Sequence, residues 1–272
     1  MRVASLVVTI LIGGLVGAAI TLDVLTVSQA AIAAGIAIVA WFIGYMALAT
    51  FHVKRFNADS VTMMAMLGRG DHDKAAELCE SWARGLTVPA VITSAARHNI
   101  AWATLRKGQL NEARALFSTN ELANARWLKA NQIYSISALD RALCSALLGD
   151  LDQARRALDD AETRALRAHL SYAAMRAFVD AVIACRDGRA AEAAKALADH
   201  WAEYETMTTG DVLRPLRVVR AFALAAEGPR NAGQVETMVS SVRPAYPSEY
   251  SFLAVSWPEM AAFLESHELA RK

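Results

Sequence analysis

The chain has 272 residues, 28 of them basic and 27 acidic, and 55% of its side chains are apolar. That apolar share exceeds the usual range of about 45–50% for soluble domains, and the near-neutral balance removes any bulk electrostatic case for nucleic acid as a partner. The excess lies at the start: from Val3 to Val53 the only acidic or basic side chain, histidine aside, is Asp23.

Residues 3–22 and 30–51 are two uncharged runs, each long enough to span a hydrocarbon core of about 30 Å. One helix over both would be about 73 Å long at 1.5 Å per residue, too long for a single crossing. Asp23 at the bilayer centre would cost about 2.5–3.5 kcal/mol, so it belongs at an interface. The expectation is a two-helix transmembrane hairpin over residues 1–55, with its turn at 23–29 and the lipid bilayer contacted through residues 3–51. Arg2 precedes the first run, Lys54 and Arg55 follow the second, and the turn carries no Lys or Arg. By the positive-inside rule both termini and the rest of the chain face the cytoplasm. A cleaved signal peptide over the first run is the alternative, and would place the remainder outside. Gly13 and Gly17 have a spacing that lets helix backbones approach, within the hairpin or between two copies as a homo-oligomer.

Residues 56–272 read as a helical domain: most segments past residue 58 have apolar residues at helical spacing, and strand alternation is absent. Gly70, Gly108, Gly149, Gly188 and Gly228 stand about forty residues apart, the punctuation of a repeat array. The residues that follow agree: GDHDKAAELC, GQLNEARALF, GDLDQARRAL and GRAAEAAKAL. Each glycine is expected to turn the chain out of one helix. Asp73, Asn111 and Asp152, three residues later, are expected to cap the next. Ala75, Ala113, Ala154 and Ala193 offer small residues for close helix packing, with Cys79, Phe117, Leu158 and Leu197 filling the space beside them.

This pattern resembles the tetratricopeptide repeat over residues 57–243. It departs from that family in its longer period and in Thr104 and Ser145, which stand where the family has Tyr. The resemblance implies an all-α fold: an α-solenoid of about five antiparallel helix pairs, followed by a C-terminal capping helix. The pairs are expected at 58–68 with 72–84, 88–107 with 111–126, 131–148 with 152–165, 167–187 with 190–206, and 212–227 with 231–242. The last helix is expected at 248–269, with Trp257 and Phe263 covering the open end of the array.

The resemblance also implies a concave groove lined by two rows of first-helix residues. One row is Ser60, His98, Leu139, Phe178 and Val218; the other is Met64, Trp102, Leu143, Val182 and Phe222. A mainly apolar groove suits a protein or peptide partner that offers a helix or apolar segment. The competing reading is that longer helices bury both rows in an ordinary core.

No phosphate loop, HExxH, CxxC or GxSxG motif occurs, so no catalytic, cofactor or metal site is assigned. Cys79, Cys144 and Cys185 read as small buried hydrophobes. Asp159, Asp160 and Glu162, and likewise Glu203 and Glu205, read as solvated helix faces. Arg214, Arg217 and Arg220 form a stripe that is either salt-bridged or a site for an anionic partner. A membrane-anchored scaffold or adaptor is the function expected. A structural subunit of a larger membrane complex, or an enzyme without a recognisable motif, are the alternatives.

Overall fold

A computed structural model describes residues 26–85, 88–125, 132–164, 170–207 and 210–270. Every regular element among them is helical. They form two compact units, one of described residues up to Thr62 with Ser81–Thr93, the other of Met63–Glu80 with the described residues from Ser94 on.

Helix α1 spans Val27–Gly68, 42 residues. It opens with a capping box: the Thr26 amide donates to Gln29 Oε1 at 3.1 Å, and the Gln29 amide to Thr26 Oγ1 at 3.4 Å. Two donors orphaned at the helix start are thereby satisfied. Of the turn expected over 23–29, Val27–Gln29 belong to α1 instead, and residues 23–25 lie outside the described residues. The expected span 3–22, with Gly13 and Gly17, lies outside the described residues. The expected span 30–51 lies inside α1. An 18-residue window of this helix has a mean hydropathy of 2.1, and none of that window is buried. Ile32, Ile36, Phe42, Ile43 and Phe51 all stand more than half exposed. This one helix is long and apolar enough to cross a bilayer. It does not stop at the expected boundary near residue 55. No glycine or proline falls between Gly44 and Gly68, so nothing breaks the helix. The segment 58–68, expected as a separate helix, forms its last turns.

In the first unit the end of α2 (His72–Ala83) packs on α1. The Trp82 indole stands edge-on to His52 and Phe56, with centroids 5.9 and 5.6 Å away. Its N–H donates to Asp59 Oδ2 at 2.9 Å, and the Arg55 guanidinium lies 5.8 Å from the ring centroid.

The second unit continues with α3 (Ala90–Arg106), α4 (Leu110–Ala125), α5 (Gln132–Leu148), α6 (Leu151–Arg164), α7 (Leu170–Arg186), α8 (Ala190–Asp199), α9 (Trp201–Met207) and α10 (Gly210–Ala226). A 3-10 turn at Pro229–Asn231 then leads to α11 (Ala232–Ser241), α12 (Ser251–Ala254) and α13 (Pro258–Ser266). Helix α5 packs on α4, α6 and α7, and α10 packs on α7, α8 and α11. The core is built of Ala, Leu and Phe at helical spacing, with Phe117, Leu139, Leu143, Phe178 and Leu216 fully enclosed.

All five ladder glycines carry positive φ, between 77° and 119°. At Gly70, Gly108, Gly149 and Gly188 the glycine amide donates three residues back. The next amide donates five back, as from Asp71 to Met66 at 2.9 Å and from Asp150 to Ser145 at 2.9 Å. That bond pair is the Schellman motif, which satisfies the last carbonyls of the preceding helix. The fifth turn differs because Pro229 has no amide hydrogen. There the Asn231 side chain donates to the Leu224 carbonyl at 3.2 Å instead.

Three expected details need correction. The residue directly after the glycine precedes the next helix, not the one three later. The carbonyls of Asp71, Gln109, Asp150 and Arg189 accept the first helical bonds, from Ala75, Ala113, Ala154 and Ala193. Asp150 adds a side-chain bond from the Gln153 amide at 3.3 Å. Asp73 and Asp152 sit in the first helical turn, where a negative charge meets the positive end of the helix dipole. Second, the helix expected over 190–206 breaks at His200 into α8 and α9, which places Trp201 beneath the Arg220 guanidinium at 4.4 Å. Third, the helix expected over 248–269 is interrupted at Trp257 (φ −133°, ψ 87°), because the residue before Pro258 is driven out of the helical region.

Candidate functional site

The two predicted rows do not form an open groove. Leu139, Leu143, Phe178, Val182 and Val218 have no exposed surface at all, so no partner can reach them without unfolding the core. Trp102 is buried as well, His98 and Phe222 are half-buried, and only Met64 is counted exposed, with Ser60 between. Phe222 is covered by the chain itself: its ring packs edge-on against Trp257 and Phe263, centroids 5.0 and 5.6 Å away.

His98 instead joins a polar network that ties α3, α4 and α5 together. His98 Nδ1 lies 3.0 Å from Ser137 Oγ, and Nε2 lies 3.4 Å from Asp140 Oδ2. Asn120 Nδ2 donates to Ser137 Oγ at 3.2 Å and to the Ser94 carbonyl at 3.3 Å, and the Ser94 hydroxyl donates to Asn120 Oδ1 at 3.1 Å. One tautomer closes this chain of bonds: Ser137 donates to Nδ1, and the Nε2–H points at Asp140. Burial holds His98 at a pKa of about 4, so the ring is neutral at pH 7. A serine, a histidine and an aspartate in line evoke a hydrolytic triad. The arrangement cannot work as one. Ser137 is fully enclosed, and its oxygen already takes part in two bonds. It also bonds the ring nitrogen opposite to the one a triad uses. The network is a structural weld whose members are satisfied together.

The C-terminal segment is more than an end cap. Tyr246 lies against Gly70, where an added Cβ would come within 2.8 Å of its ring. Its hydroxyl meets His72 Nε2 at 3.3 Å and accepts from Arg106 Nη2 at 3.2 Å. The Arg106 guanidinium stacks over Phe252 at 4.7 Å, and Arg186 donates to the Ser256 carbonyl at 2.7 Å. Arg214 grips Glu249 with two bonds of 2.7 and 3.0 Å. Glu249 also accepts from the Ala245 amide, and despite burial its pKa falls below the usual carboxylate range through these bonds. One segment thus reaches His72 of α2, Arg106 of α3, Arg186 of α7 and Arg214 of α10. The sequence signalled its two anchors, Trp257 and Phe263, but not the reach of Tyr246, a contact that no local pattern encodes.

The arginine stripe is occupied internally. Arg214 holds Glu249, Arg217 donates to Glu205 at 2.6 Å, and Arg220 stacks on Trp201. Of the two acidic groups, Asp160 faces Arg141 at 3.4 Å, Glu162 pairs with Arg176, and Glu203 faces His200 at 3.5 Å. The three cysteines are buried. Burial pushes the Cys185 thiol up to about 12 and raises that of Cys144, so neither is a nucleophile at neutral pH.

A cleft of about 510 Å³ lies elsewhere, bounded by α6, α7, α8 and Tyr204 of α9. Its floor is apolar, with Leu158, Ala181, Ala184 and Leu197, and its mouth is charged, with Arg155 and Glu192. No protein-family model matches the chain, and neither a curated protein nor a solved structure matches it.

Proposed function

We propose that the chain is a membrane-anchored scaffold: a tetratricopeptide-like α-solenoid of about five helix pairs, held at the cytoplasmic face by a transmembrane hairpin and binding protein partners there. The observation that carries this reading is the continuity of α1, in which the exposed apolar stretch and the first repeat helix are one 42-residue helix. A helix that runs on from the apolar stretch tethers the helical domain to the membrane and raises the effective concentration of partners there. The positive pair Lys54–Arg55 at the end of the apolar stretch supports the cytoplasmic orientation. The apolar-floored cleft with a charged mouth supports an amphipathic helix as the bound segment, in place of the buried rows.

The test is proximity labelling from a ligase fused to the C-terminus of the intact chain, compared with Ala196→Trp, which fills the cleft from an exposed lining position. A small set of labelled proteins, lost in the variant at equal expression, is the expected result. A set identical to that of a bare membrane-tethered ligase would sink the reading. A permanent subunit of a larger membrane complex is the second reading. It draws support from Gly35 and Gly44, where an added Cβ would meet nothing within 4 Å among the described residues, so that small residues on α1 could take the close approach of another membrane helix. Mild detergent extraction and sizing separates the two: a fixed-stoichiometry complex favours the subunit.

A further inference from the structure

The cleft between α6, α7 and α8 owes its room to small side chains. Ala177, Ala181 and Ala184 line it at about one-turn spacing on α7, and Ala193 and Ala196 line it from α8. Alanine leaves the space between helices unfilled, and a cavity of about 510 Å³ remains. That volume falls within the range of about 300–1,000 Å³ usual for binding clefts.

The charge around this floor is not balanced. Arg155 and Arg189 are its basic lining residues, and both are held inside the chain. Asp187 pairs with each of them, Asp152 meets Arg155 at 3.3 Å, and Glu192 meets Arg189 at 2.7 Å. Asp180 pairs with Arg176 at 3.1 Å, but Arg176 is shared with Glu162. Asp199 is exposed at the end of α8, and the one other basic residue of that helix is Lys195, a turn before it. Among these described residues six carboxylates stand against four basic side chains, a net charge of −2. The C-terminal end of α8 adds its own partial negative charge beside Asp199. At the same end lies Tyr204, 9% exposed, whose hydroxyl makes no hydrogen bond with another described residue.

We propose that this cleft receives the apolar face of a basic amphipathic helix, a protein segment with leucine-sized side chains along one stripe and Lys or Arg on its flanks. The apolar side chains enter the space that the alanines leave. The flanking cations meet Asp180, Asp199 and the Tyr204 hydroxyl, while Arg155 and Arg189 keep the carboxylates they already hold. The same rim repels an acidic peptide. The proposal rests on the scaffold reading and names the chemistry of what the scaffold holds. Such segments are common at a cytoplasmic membrane face, where the loops of membrane proteins carry an excess of Lys and Arg.

The test uses the full chain in nanodiscs of phosphatidylcholine, a lipid without net charge, with empty nanodiscs as the blank. The probes are two fluorescein-labelled helical peptides of one Ala–Leu design, with leucines at i, i+3, i+4 and i+7. One is flanked by Lys and the other by Glu, and binding is read as anisotropy. The Lys peptide is expected to bind about ten-fold more tightly at low salt, the effect of two or three exposed ion pairs. Asp180→Asn/Asp199→Asn takes the net charge from −2 to zero and is expected to remove that preference. Ala196→Trp, at an exposed lining position, is expected to weaken the Lys peptide by about the same factor through lost apolar burial, with far-UV helicity unchanged in every variant. Equal affinity for the two peptides, or none for either, overturns the basic partner. Lys-peptide binding that survives Ala196→Trp overturns the cleft as its seat. Either result leaves the scaffold reading standing as long as the proteins labelled by the intact chain differ from those of the bare tethered ligase.

Discussion

Gly188 has φ 77°, and a Cβ added there would meet nothing within 4 Å. Gly188→Ala therefore meets only the left-handed penalty, about 1 kcal/mol. Gly70 has φ 84°, and its Cβ would also press into the Tyr246 ring. Overpacking adds about 1–3 kcal/mol, so Gly70→Ala is expected to lose at least twice as much stability in urea denaturation. Equal losses would show that Tyr246 does not sit over this turn in solution. Glu268 occupies the same kind of turn at the end of α13, with φ 56° and Leu269 donating to the Leu264 carbonyl at 2.8 Å. Here the chain has a side chain where its other turns have glycine. Glu268→Gly is expected to raise stability by about 0.5–1 kcal/mol, the relief of strain less the extra freedom of glycine in the unfolded chain. An unchanged midpoint would mean that the strain is absent.

At the level of elements, the sequence was most legible where one residue type has one physical job. The five glycines marked the five turns because only glycine takes positive φ without strain. A new helix begins within a few residues of each turn. The caps were misplaced by two positions because an acidic residue is favourable both before a helix and in its first turn, so composition alone does not choose. The break before Pro258 was readable from the proline and went unread. The merger of 58–68 into α1 hung on an absence, the lack of any breaker after Gly44. The contact between Arg214 of α10 and Glu249 was not legible, since the stripe of three arginines looked alike along the chain. Glu249 is almost fully buried, its side chain 5% exposed against 32% for Arg214. Removing one partner strands the other, and Arg214→Ala is expected to cost about 3 kcal/mol. Arg214→Ala with Glu249→Gln should recover part of that loss. A double variant no better than the single one would show that the pair is not coupled.

In the second unit, parts distant in sequence are held together by polar side chains. The C-terminal segment binds the start of α2 and the end of α3 through His72, Tyr246 and Arg106. Helices α3, α4 and α5 are joined through His98 and Asn120. The predicted rows were fully apolar where they turned out buried, and periodicity cannot tell an apolar groove from an apolar core. His98, a polar member of the rows, marks the place where hydrogen bonds join α3, α4 and α5.

Both histidines make that locking sensitive to acid. His72 and His98 have pKa values lowered to about 4 by burial, and Arg106 adds to the effect at His72. In the unfolded chain each would titrate near 6.5. Between those values the unfolded state binds more protons than the folded one. The stability is therefore complete above pH 6.5 and is lost as pH falls toward 4, by about 3 kcal/mol per histidine at most. Carboxylates held below their usual range, such as Asp187 beside Arg189 and Arg155, contribute their own loss at lower pH. Denaturation midpoints of the full chain at a series of pH values from 8 down should therefore drop most steeply between about 6.5 and 4. His98→Gln keeps a hydrogen-bonding side chain without a proton to gain. Its stability at pH 7.5 should fall modestly, and its slope between those pH values should be clearly shallower than that of the parent chain. A slope equal to the parent's would mean that His98 is charged or solvated in the folded protein, and that the network joining α3, α4 and α5 is not closed in the way the hydrogen bonds describe.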